Sequence, residues 1–530
     1  MAHDFKATIR LFNYRCFTDK HPGVLELRPG FSAFVGPNNS GKSTLLKAIR
    51  ELRAVLSTLA DHDMLHNFAK GSTHAFNYLD VEDPEEIFCD SSKGPAVVEI
   101  TFPEAFDNET SRVRLMCQRE APGGWSGEIF YGPKFSRITP AEAGEFGLSC
   151  AVPGGRQDLD FARAKYFAHL IAGSMYVPPF RHALTGAGGA SMGDLSNGSE
   201  FLGLWTTHQG GGSKAQHRLI RKVVDDVRAL FSYDRFDVQA SAGSQTLQLW
   251  VNGKDYRLRE MGSGLTQFLI VLGNAAFKRP ALIFVDEPEL NLHPTLQQEF
   301  LTTLGSYCTY GVFFATHSLG LARSSSDFLY SVRKSESGST VASWEHAVGL
   351  AEQLGELNYS AYREAGHERV LLVEGPQDIR SIQQILRLLR IEHSTLVIHL
   401  SGGQTESEAA IEAVAEIQRL ASNVFVLLDS ERNTADGEPR RGRQLFVERC
   451  ARLDVKVHLT QRRALENYFT DRAVKAAYGA EYCALELYAK LSESSRPWGK
   501  RDNWRAAREM SLDEWDGTDI FQFLKSLTDT

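Results

Sequence analysis

The chain has 530 residues, enough for roughly two to four domains. Its 58 lysines and arginines stand against 66 aspartates and glutamates, and this net charge of −8 excludes a polycation that coats nucleic acid, although local basic patches remain allowed. No apolar run reaches the roughly 18 residues of a membrane span, the N-terminus lacks the apolar stretch of a signal peptide, and the seven cysteines are scattered without a Cys-x-x-Cys pair. We therefore expect a cytoplasmic protein with reduced cysteines and no membrane contact.

The first 240 residues divide into a clear and a less clear part. Residues 7–12, 24–27 and 31–35 read as strands, and leucines and isoleucines from Leu45 to Leu59 recur at helical spacing. Residues 61–240 show a weaker pattern. It contains a helical run over 216–231 and a segment, 186–212, with nine glycines in 27 residues. We expect that segment to be a surface loop, with a substrate-contacting loop as the alternative.

The pattern sharpens again after residue 246. Residues 247–258 predict a hairpin around Asn252-Gly253, followed by a helix over 267–276 and buried strands over 281–285 and 312–315. Residues 334–345 are small and polar, typical of a linker or hairpin end, and 346–366 look helical. A second α/β pattern follows, with strands over 370–373, 395–400 and 424–428 and a helix over 379–389.

The segment after the third strand fits the P-loop pattern G-x-x-x-x-G-K-[ST] from Gly36 to Ser43. Its glycines let backbone N–H groups surround phosphate oxygens, and the following helix adds its N-terminal dipole. Lys42 is expected to reach the β- and γ-phosphates, and Ser43 to bind Mg²⁺. The predicted nucleotide contacts of this loop are Gly36, Asn38, Asn39, Ser40, Gly41, Lys42, Ser43 and Thr44.

A second half of the same site is predicted at the end of the strand 281–285. There Asp286 is expected to hold Mg²⁺, and the adjacent Glu287 is expected to polarise the attacking water. A solvated turn is the alternative for two adjacent acids, but the P-loop disfavours it.

These motifs, with Glu287-Pro-Glu-Leu-Asn-Leu-His-Pro294 and Ala315-Thr-His317-Ser, resemble the ABC-type ATPases related to SMC and RecF proteins. The resemblance implies that His317 senses the γ-phosphate. Residues 259–267 resemble the family's signature segment, which implies that Ser263 and Gly264 reach the nucleotide of a partner subunit. The segment departs from the transporter form Leu-Ser-Gly-Gly-Gln.

Carboxylates recur at strand ends in the second α/β pattern. Glu374 and Asp378 follow the strand 370–373, and Asp429 and Glu431 follow the strand 424–428. Because parallel strands present their carboxyl ends on one edge, these acids should converge and repel one another unless cations bind. Hard oxygen ligands suit Mg²⁺ or Mn²⁺, which can support phosphodiester cleavage. Strand-end acids that cap helices are the alternative.

Together these residues resemble the TOPRIM domain of topoisomerases, primases and OLD-family nucleases ("overcoming lysogenisation defect"). That domain has a Glu-Gly motif and an Asp-x-Asp motif, here Glu374-Gly375 and Asp429-Ser-Glu431, the latter with an Asp-to-Glu departure. Residues 463–468 resemble the family's downstream acidic segment. The resemblance implies that Lys500 stabilises charge on the transferred phosphate.

Residues 440–463 carry eight lysines and arginines and two acids, a local charge of +6. Such a segment favours a nucleic-acid track, with a solvated basic face as the alternative.

The whole arrangement resembles OLD-family nucleases, including Gabija-type nuclease subunits and retron effectors. It implies an α/β fold: an ABC-type ATPase (1–60 and 241–345) with a helical insertion and dimerisation region (61–240), then a Rossmann-like TOPRIM nuclease domain (346–530). The implied function is an ATP-regulated, Mg²⁺- or Mn²⁺-dependent endonuclease in antiphage defence, at least dimeric, acting on DNA in preference to RNA, with an operon-encoded partner protein.

Two alternatives belong to other classes. An ATPase sensor or scaffold with an inactive or partner-dependent TOPRIM module is kept open by the Asp-Ser-Glu departure. A RecF-like repair clamp without nuclease activity leaves residues 370–530 unexplained.

Overall fold

The computed structural model describes residues 5–103, 105–179, 194–196, 198–241, 246–290, 292, 294–335, 338–343, 369–400, 408–420 and 423–529. The helix-like residues 346–366 lie outside this part of the chain. Within it, no helix is long and apolar enough to cross a lipid bilayer.

Strands and helices are numbered here in chain order. The strands are β1 Ala7–Phe12, β2 Gly23–Leu27, β3 Gly30–Val35, β4 His74–Ala75, β5 Ala96–Thr101, β6 Thr110–Cys117, β7 Gly124–Tyr131, β8 Ser136–Arg137, β9 Ser149–Val152, β10 Gly155–Asp158, β11 Ser174–Val177, β12 Phe236–Ser241, β13 Thr246–Val251, β14 Lys254–Arg257, β15 Leu282–Asp286, β16 Gly311–Thr316, β17 Phe328–Ser335, β18 Gly338–Ser343, β19 Arg369–Val373, β20 Thr395–His399, β21 Asn423–Leu428 and β22 Lys456–Leu459. The helices are α1 Lys42–Glu51, α2 Arg53–Ser57, α3 His62–Ala69, α4 Pro140–Phe146, α5 Ala162–Ala172, α6 Gly198–Gly210, α7 Lys214–Leu230, α8 Ser263–Lys278, α9 Pro294–Gly305, α10 Leu319–Ser325, α11 Pro376–Leu389, α12 Glu408–Leu420, α13 Arg441–Ala451, α14 Asp471–Tyr478, α15 Asn503–Glu509, α16 Leu512–Trp515 and α17 Asp519–Ser526.

A six-stranded sheet positions the nucleotide motifs. Its order is β11-β15-β16-β3-β17-β18, and all neighbouring pairs are parallel except β17 with β18. Strands β15 and β16 are buried along their whole length, as expected for a parallel sheet covered on both faces. The P-loop, Asp286 and His317 therefore lie at the carboxyl ends of three adjacent strands, β3, β15 and β16.

The expected helical insertion over residues 61–240 is only partly correct, because this segment contains helices α3 to α7 but also strands β4 to β11. Strands β4 to β8 join β1 and β2 in a seven-stranded antiparallel sheet. Its order is β2-β1-β5-β6-β7-β4, with β8 also paired to β7, and β1 pairs directly with β5. The reason is a two-residue alternation: Val113, Leu115 and Cys117 of β6 are buried, whereas Arg112 and Arg114 are partly exposed. The helical run predicted near 216–231 is confirmed as α7.

The expected surface loop over 186–212 is partly wrong as well. Residues 198–210 form α6, because Phe201 and Trp205 are buried on one side of it. The ring of Phe201 lies against Gly273 of α8, where a Cβ atom would come within 2.7 Å of it. Two large apolar anchors four residues apart outweigh the helix cost of the flanking glycines.

The second sheet has the parallel order β20-β19-β21-β22. Helices cover both faces: α11, α14, α15 and α17 contribute to one core, and α12 and α13 to the other. Across the sheet, the second strand of the module lies first, followed by the first, third and fourth strands. This order places a topological switch point between β19 and β21. The three strands and the helix predicted here are confirmed.

Buried charges join the two halves of the chain. Arg380 of α11 forms an ion pair at 2.6 Å with Asp327, and the two side chains are only 2% and 3% exposed. Asp327 also accepts a hydrogen bond from the backbone N–H of Phe31 in β3, and Arg380 lies over the Phe31 ring. Arg508 of α15 pairs with Asp226 of α7 at 2.6 Å. The α/β module after residue 369 is thus tied to the strand that leads into the P-loop.

Candidate nucleotide and metal sites

The P-loop contains two residues with a left-handed backbone conformation. Asn39 and Gly41 have φ of 60° and 104°, in the left-handed region. A Cβ atom at Gly36 would lie 2.0 Å from the carbonyl oxygen of Val332, so no side chain fits there. The Ser40 hydroxyl is buried and has no hydrogen-bond partner among the described residues. Asn38 and Asn39 are exposed and Thr44 is half-buried. A tight loop with an unpaired buried hydroxyl fits a phosphate site.

Lys42 is held at the mouth of this loop. Its ammonium donates to the carbonyl oxygens of Gly36 at 2.8 Å and Pro37 at 2.9 Å. It also lies 3.5 Å from each ring nitrogen of His317. Burial lowers the pKa of Lys42. The lysine and the expected γ-phosphate sensor therefore share one site.

Ser43 and Asp286, the two residues predicted to hold Mg²⁺, are in direct contact. The Ser43 hydroxyl donates to Oδ1 of Asp286 at 3.0 Å, and the Tyr176 hydroxyl donates to Oδ2 at 3.3 Å. Burial raises the pKa of Asp286 to about 6. A hydroxyl beside a buried carboxylate is an oxygen donor set suited to Mg²⁺. Tyr176 could not be predicted as a site residue from the sequence, because no spacing rule connects β11 to β15.

Glu287 lies beside His317, as expected of a residue that polarises water next to a phosphate sensor. Its Oε1 is 3.3 Å from Nε2 of His317, and its backbone has a φ of 50°. Glu289 supports this geometry: its Oε1 accepts from the Thr316 hydroxyl at 2.7 Å and from the His317 N–H at 2.8 Å. Glu289 is the third acid of the ATPase site after Asp286 and Glu287, and its place in the motif Glu287-Pro-Glu289 was visible in the sequence.

The predicted signature residues form the first turn of α8. Gly262 is the N-cap, Ser263 is exposed and Gly264 is partly exposed. A residue that acts across a subunit interface must be accessible in this way. The contact with a partner subunit stays a prediction.

The predicted acids of the second module converge on one cleft. Glu374 follows β19 and Asp429 follows β21, on either side of the switch point. The cleft has a volume of about 560 Å³. Its charged lining includes Glu374, Asp378, Asp429, Glu431, Glu466 and Lys500.

The electrostatics of this cleft favour a bound cation. Burial, with the charge of Glu374, raises the pKa of Asp378 to about 7 even though Asp378 accepts the Gly375 N–H at 2.9 Å. Burial and the charges of Asp378 and Glu466 raise the pKa of Asp429 well above its usual range. Neighbouring buried carboxylates of this kind are relieved by metal binding.

Lys500 already neutralises part of the cleft. Its ammonium lies 2.9 Å from Oε1 of Glu466. Burial alone would lower its pKa, but the charges of Glu466 and Asp429 raise it. The lysine is therefore charged at neutral pH and adjoins the acids.

Arg443 occupies the other side of the acid cluster. Its guanidinium is 2% exposed, lies 2.6 Å from Glu374 and 3.8 Å from Glu431, and Arg440 lies 3.2 Å from Glu431. Asp429 accepts the Leu465 N–H at 3.0 Å. Across the described ranges, no three His, Cys, Asp or Glu side chains are arranged as a ready metal site. The oxygen donors suit Mg²⁺ or Mn²⁺, and Glu374 lines the cleft while one of its oxygens contacts Arg443.

The basic segment 440–463 does not form a single track. Arg443 is buried against the acids, and Arg463 lines the cleft and donates to the Glu431 carbonyl oxygen at 3.3 Å. Arg462 lies over the Tyr468 ring. Arg441, Arg449 and Arg452 are exposed. The segment is divided between α13, β22 and the following loop, so part of its charge faces the acids.

Two family models match the chain. The one described as "AAA domain" matches residues 8–112, which contain the P-loop. The one described as "AAA domain, putative AbiEii toxin, Type IV TA system" matches residues 211–323, which contain Asp286, Glu287 and His317. The motifs of the nucleotide site therefore lie in two separate segments that each match a model of an AAA ATPase domain, and ATP with Mg²⁺ is the cofactor that such domains imply.

Solved SMC head domains are similar to the chain with TM-scores below 0.4, each at 13% identity. An SMC head bound to the C-terminal winged-helix domain of ScpA gives a TM-score of 0.39 over 64% of this chain and 97% of that one. The SMC head from Thermotoga maritima gives 0.33 over 64% and 98%, and a head with an extended coiled coil bound to the C-terminal domain of ScpA, derived from Pyrococcus furiosus, gives 0.36 over 67% and 98%. A comparison with curated proteins gives no match.

Proposed function

We propose that the chain is an ATP-regulated, divalent-metal-dependent endonuclease that cleaves nucleic-acid phosphodiesters. The observation that carries this proposal is the convergence of Glu374, Asp378, Asp429 and Glu431, with Lys500, in one cleft at the switch point of the second sheet. The resemblance to TOPRIM domains of OLD-family nucleases agrees with this arrangement. A role in antiphage defence and an operon-encoded partner protein belong to the same proposal.

In the ATPase site, Ser43 and Asp286 would hold Mg²⁺, and the P-loop and Lys42 would bind the phosphates. Glu287 would accept a proton from the attacking water, and His317, 3.3 Å from Glu287, would orient that acid against the γ-phosphate. Ser263 and Gly264 would complete the site of a second subunit, so the active form is at least a dimer.

In the cleft, Glu374, Asp378, Asp429 and Glu431 would be the ligands of Mg²⁺ or Mn²⁺. Such metals supply an activated water and Lewis acidity at the scissile phosphate. Lys500 would stabilise negative charge on the phosphate, since its ammonium lies among the same acids. DNA is the expected substrate in preference to RNA.

The test is cleavage of plasmid DNA and of tRNA by the purified chain, with Mg²⁺ or Mn²⁺ and with or without ATP. We expect cleavage of DNA that Asp429→Asn abolishes while ATP hydrolysis persists, because the two sites use separate ligands. Asp436→Asn is the matched control, since Asp436 is exposed in the loop after Glu431. If Asp429→Asn cleaves as well as the unaltered chain, the proposed nuclease site is wrong.

A second function, an ATPase sensor or scaffold with an inactive or partner-dependent module, is favoured by one observation. Arg443 already pairs with Glu374 and lies near Glu431. A buried guanidinium among the acids can neutralise them in place of a metal ion and leave the cleft without metal. This alternative predicts no cleavage with either metal, and ATP hydrolysis that is insensitive to Asp429→Asn.

A further inference from the structure

A second groove adjoins the acidic cleft. It has a volume of about 490 Å³, and Gln377 and Lys500 line both spaces. From Lys500 the groove extends to Lys6, Arg28 and Gly30 of the ATPase half. The groove thus leads out of the cleft and across the junction between the two halves of the chain.

Four cations line this groove: Lys6, Arg28, Lys500 and Arg501. Lys6 and Arg501 are exposed and, within the described part of the chain, neither forms an ion pair. The acid in the groove wall, Asp502, is engaged by Arg505 at 3.4 Å. The groove is therefore positively charged in a chain whose net charge is −8.

Two of these cations are held in place by one aromatic ring. The guanidinium of Arg28 lies 4.2 Å from the centroid of Phe328, and that of Arg501 lies 4.3 Å from it. Arg28 also pairs with Glu26. Stacked guanidinium groups lose less conformational freedom when they bind a phosphate, and their N–H groups match its oxygens.

The register of the antiparallel sheet places Lys6 beside this pair. Ala7 of β1 pairs with Leu27 of β2, so the adjoining Lys6 and Arg28 lie at the same end of neighbouring strands. That end also precedes Gly30, where β3 begins. The two halves of the chain thus contribute cations to one surface.

We infer that this groove binds the phosphodiester backbone of the nucleic acid whose scissile bond lies in the acidic cleft. The inference rests on the proposed nuclease function and adds the path of the substrate and the residues that hold it. Sequence-independent phosphate contacts need such a local patch rather than a basic chain. The substrate would then contact both the ATPase half and the metal-binding half.

The test measures the binding of a fluorescein-labelled DNA duplex of about three helical turns by fluorescence anisotropy. Ca²⁺ replaces Mg²⁺, and the salt concentration is varied between about 50 and 200 mM. The double variant Lys6→Glu, Arg501→Glu should bind at least about tenfold more weakly. The slope of log binding constant against log salt concentration should become shallower by the amount expected for the loss of about two phosphate contacts. The charge-conserving variant Lys6→Arg, Arg501→Lys should bind within about threefold of the unaltered chain, since non-specific phosphate contacts depend mainly on charge.

Lys20→Glu is the control, a single charge reversal outside the groove. Lys20 is exposed in the loop between β1 and β2, at the end of these strands that lies away from Lys6 and Arg28. The substitution therefore changes the net charge without altering the groove. It should bind DNA as the unaltered chain does. ATP hydrolysis without DNA and the melting temperature should be the same in all variants, which shows that they fold.

If the unaltered chain binds and cleaves DNA and the double charge reversal does both equally well, the groove assignment is overturned while the nuclease proposal stands. An equal loss of binding in Lys20→Glu also overturns it, since only net charge would then matter. If the unaltered chain neither binds nor cleaves DNA, the proposed function and the groove fail together.

Discussion

At the scale of single residues, Glu287 is the most specific test of the ATPase site. Glu287→Gln should retain ATP binding and slow hydrolysis by about 10²-fold or more, because an amide cannot accept the proton of the attacking water. Lys42→Ala should instead lose nucleotide affinity, since its ammonium contacts the carbonyl oxygens of Gly36 and Pro37 at the mouth of the P-loop. Fluorescent-nucleotide binding and phosphate release measure the two effects. Undiminished turnover of Glu287→Gln would remove the residue from this role.

Glu392 gives a pH-dependent prediction away from both sites. Burial, with the charge of Glu299, raises its pKa from 4.5 to about 7. The folded chain thus favours the protonated form, and this contribution to stability is full below about pH 4.5 and is lost as the pH rises through 7. At pH 8, Glu392→Gln should therefore stabilise the chain by about 1–3 kcal/mol.

The measurement is the melting temperature of Glu392→Gln and the unaltered chain at pH 8 and pH 5. The difference should be a few degrees at the higher pH and clearly smaller at the lower one. Glu412→Gln, at an exposed position of α12, is the control and should show no such dependence. Equal melting temperatures at pH 8 would mean that the folded chain tolerates the charged carboxylate.

At the scale of elements, helix α13 places Arg443 against Glu374 at the acidic cleft. Arg443→Gln should lower the melting temperature without metal, because Glu374 loses its ion pair. It should also increase the stabilisation by Mn²⁺, because Glu374 becomes available as a ligand. Thermal unfolding over a Mn²⁺ titration measures both effects, with Arg449→Gln on the exposed side of α13 as control. A Mn²⁺ effect no larger than in the unaltered chain would show that Arg443 does not compete with metal.

The elements that were predicted from sequence are those with strong local signals. The turn Asn252-Gly253 has φ of 48° and 87°, as its dipeptide requires, and the buried strands β15 and β16 are continuous apolar runs. The helix predicted over 45–59 is interrupted at Leu52, where α1 ends and α2 begins. Helical spacing alone does not reveal such a break.

The features that were not predicted depend on contacts between distant segments. Strand β5 finds its place through β1, about ninety residues earlier, and the apolar face of α6 is defined by its packing on α8. The motifs predicted which acids approach the second sheet edge. They could not predict that Arg443, from a segment read as a nucleic-acid track, would occupy that edge, because charge counts carry no information on burial.

At the scale of the whole molecule, Ser263 tests whether two chains share their ATPase sites. Lys42→Ala removes nucleotide binding, and Ser263→Arg should block the exposed first turn of α8 from a partner subunit. Each variant alone should be inactive, whereas an equal mixture should recover part of the ATP hydrolysis through one intact composite site per mixed dimer. Mixtures that never exceed either parent would exclude sites shared between subunits.

The ion pair between Arg380 and Asp327 bears on how such chains can be recombined. Transplanting the second module into a host that has no acid equivalent to Asp327 would bury a lone guanidinium, and the reciprocal graft would bury a lone carboxylate. Stranding one partner of a buried pair costs about 3–5 kcal/mol, a large share of a domain's stability. Chimeras built to exchange substrate range should therefore carry residues 327 and 380 from the same parent.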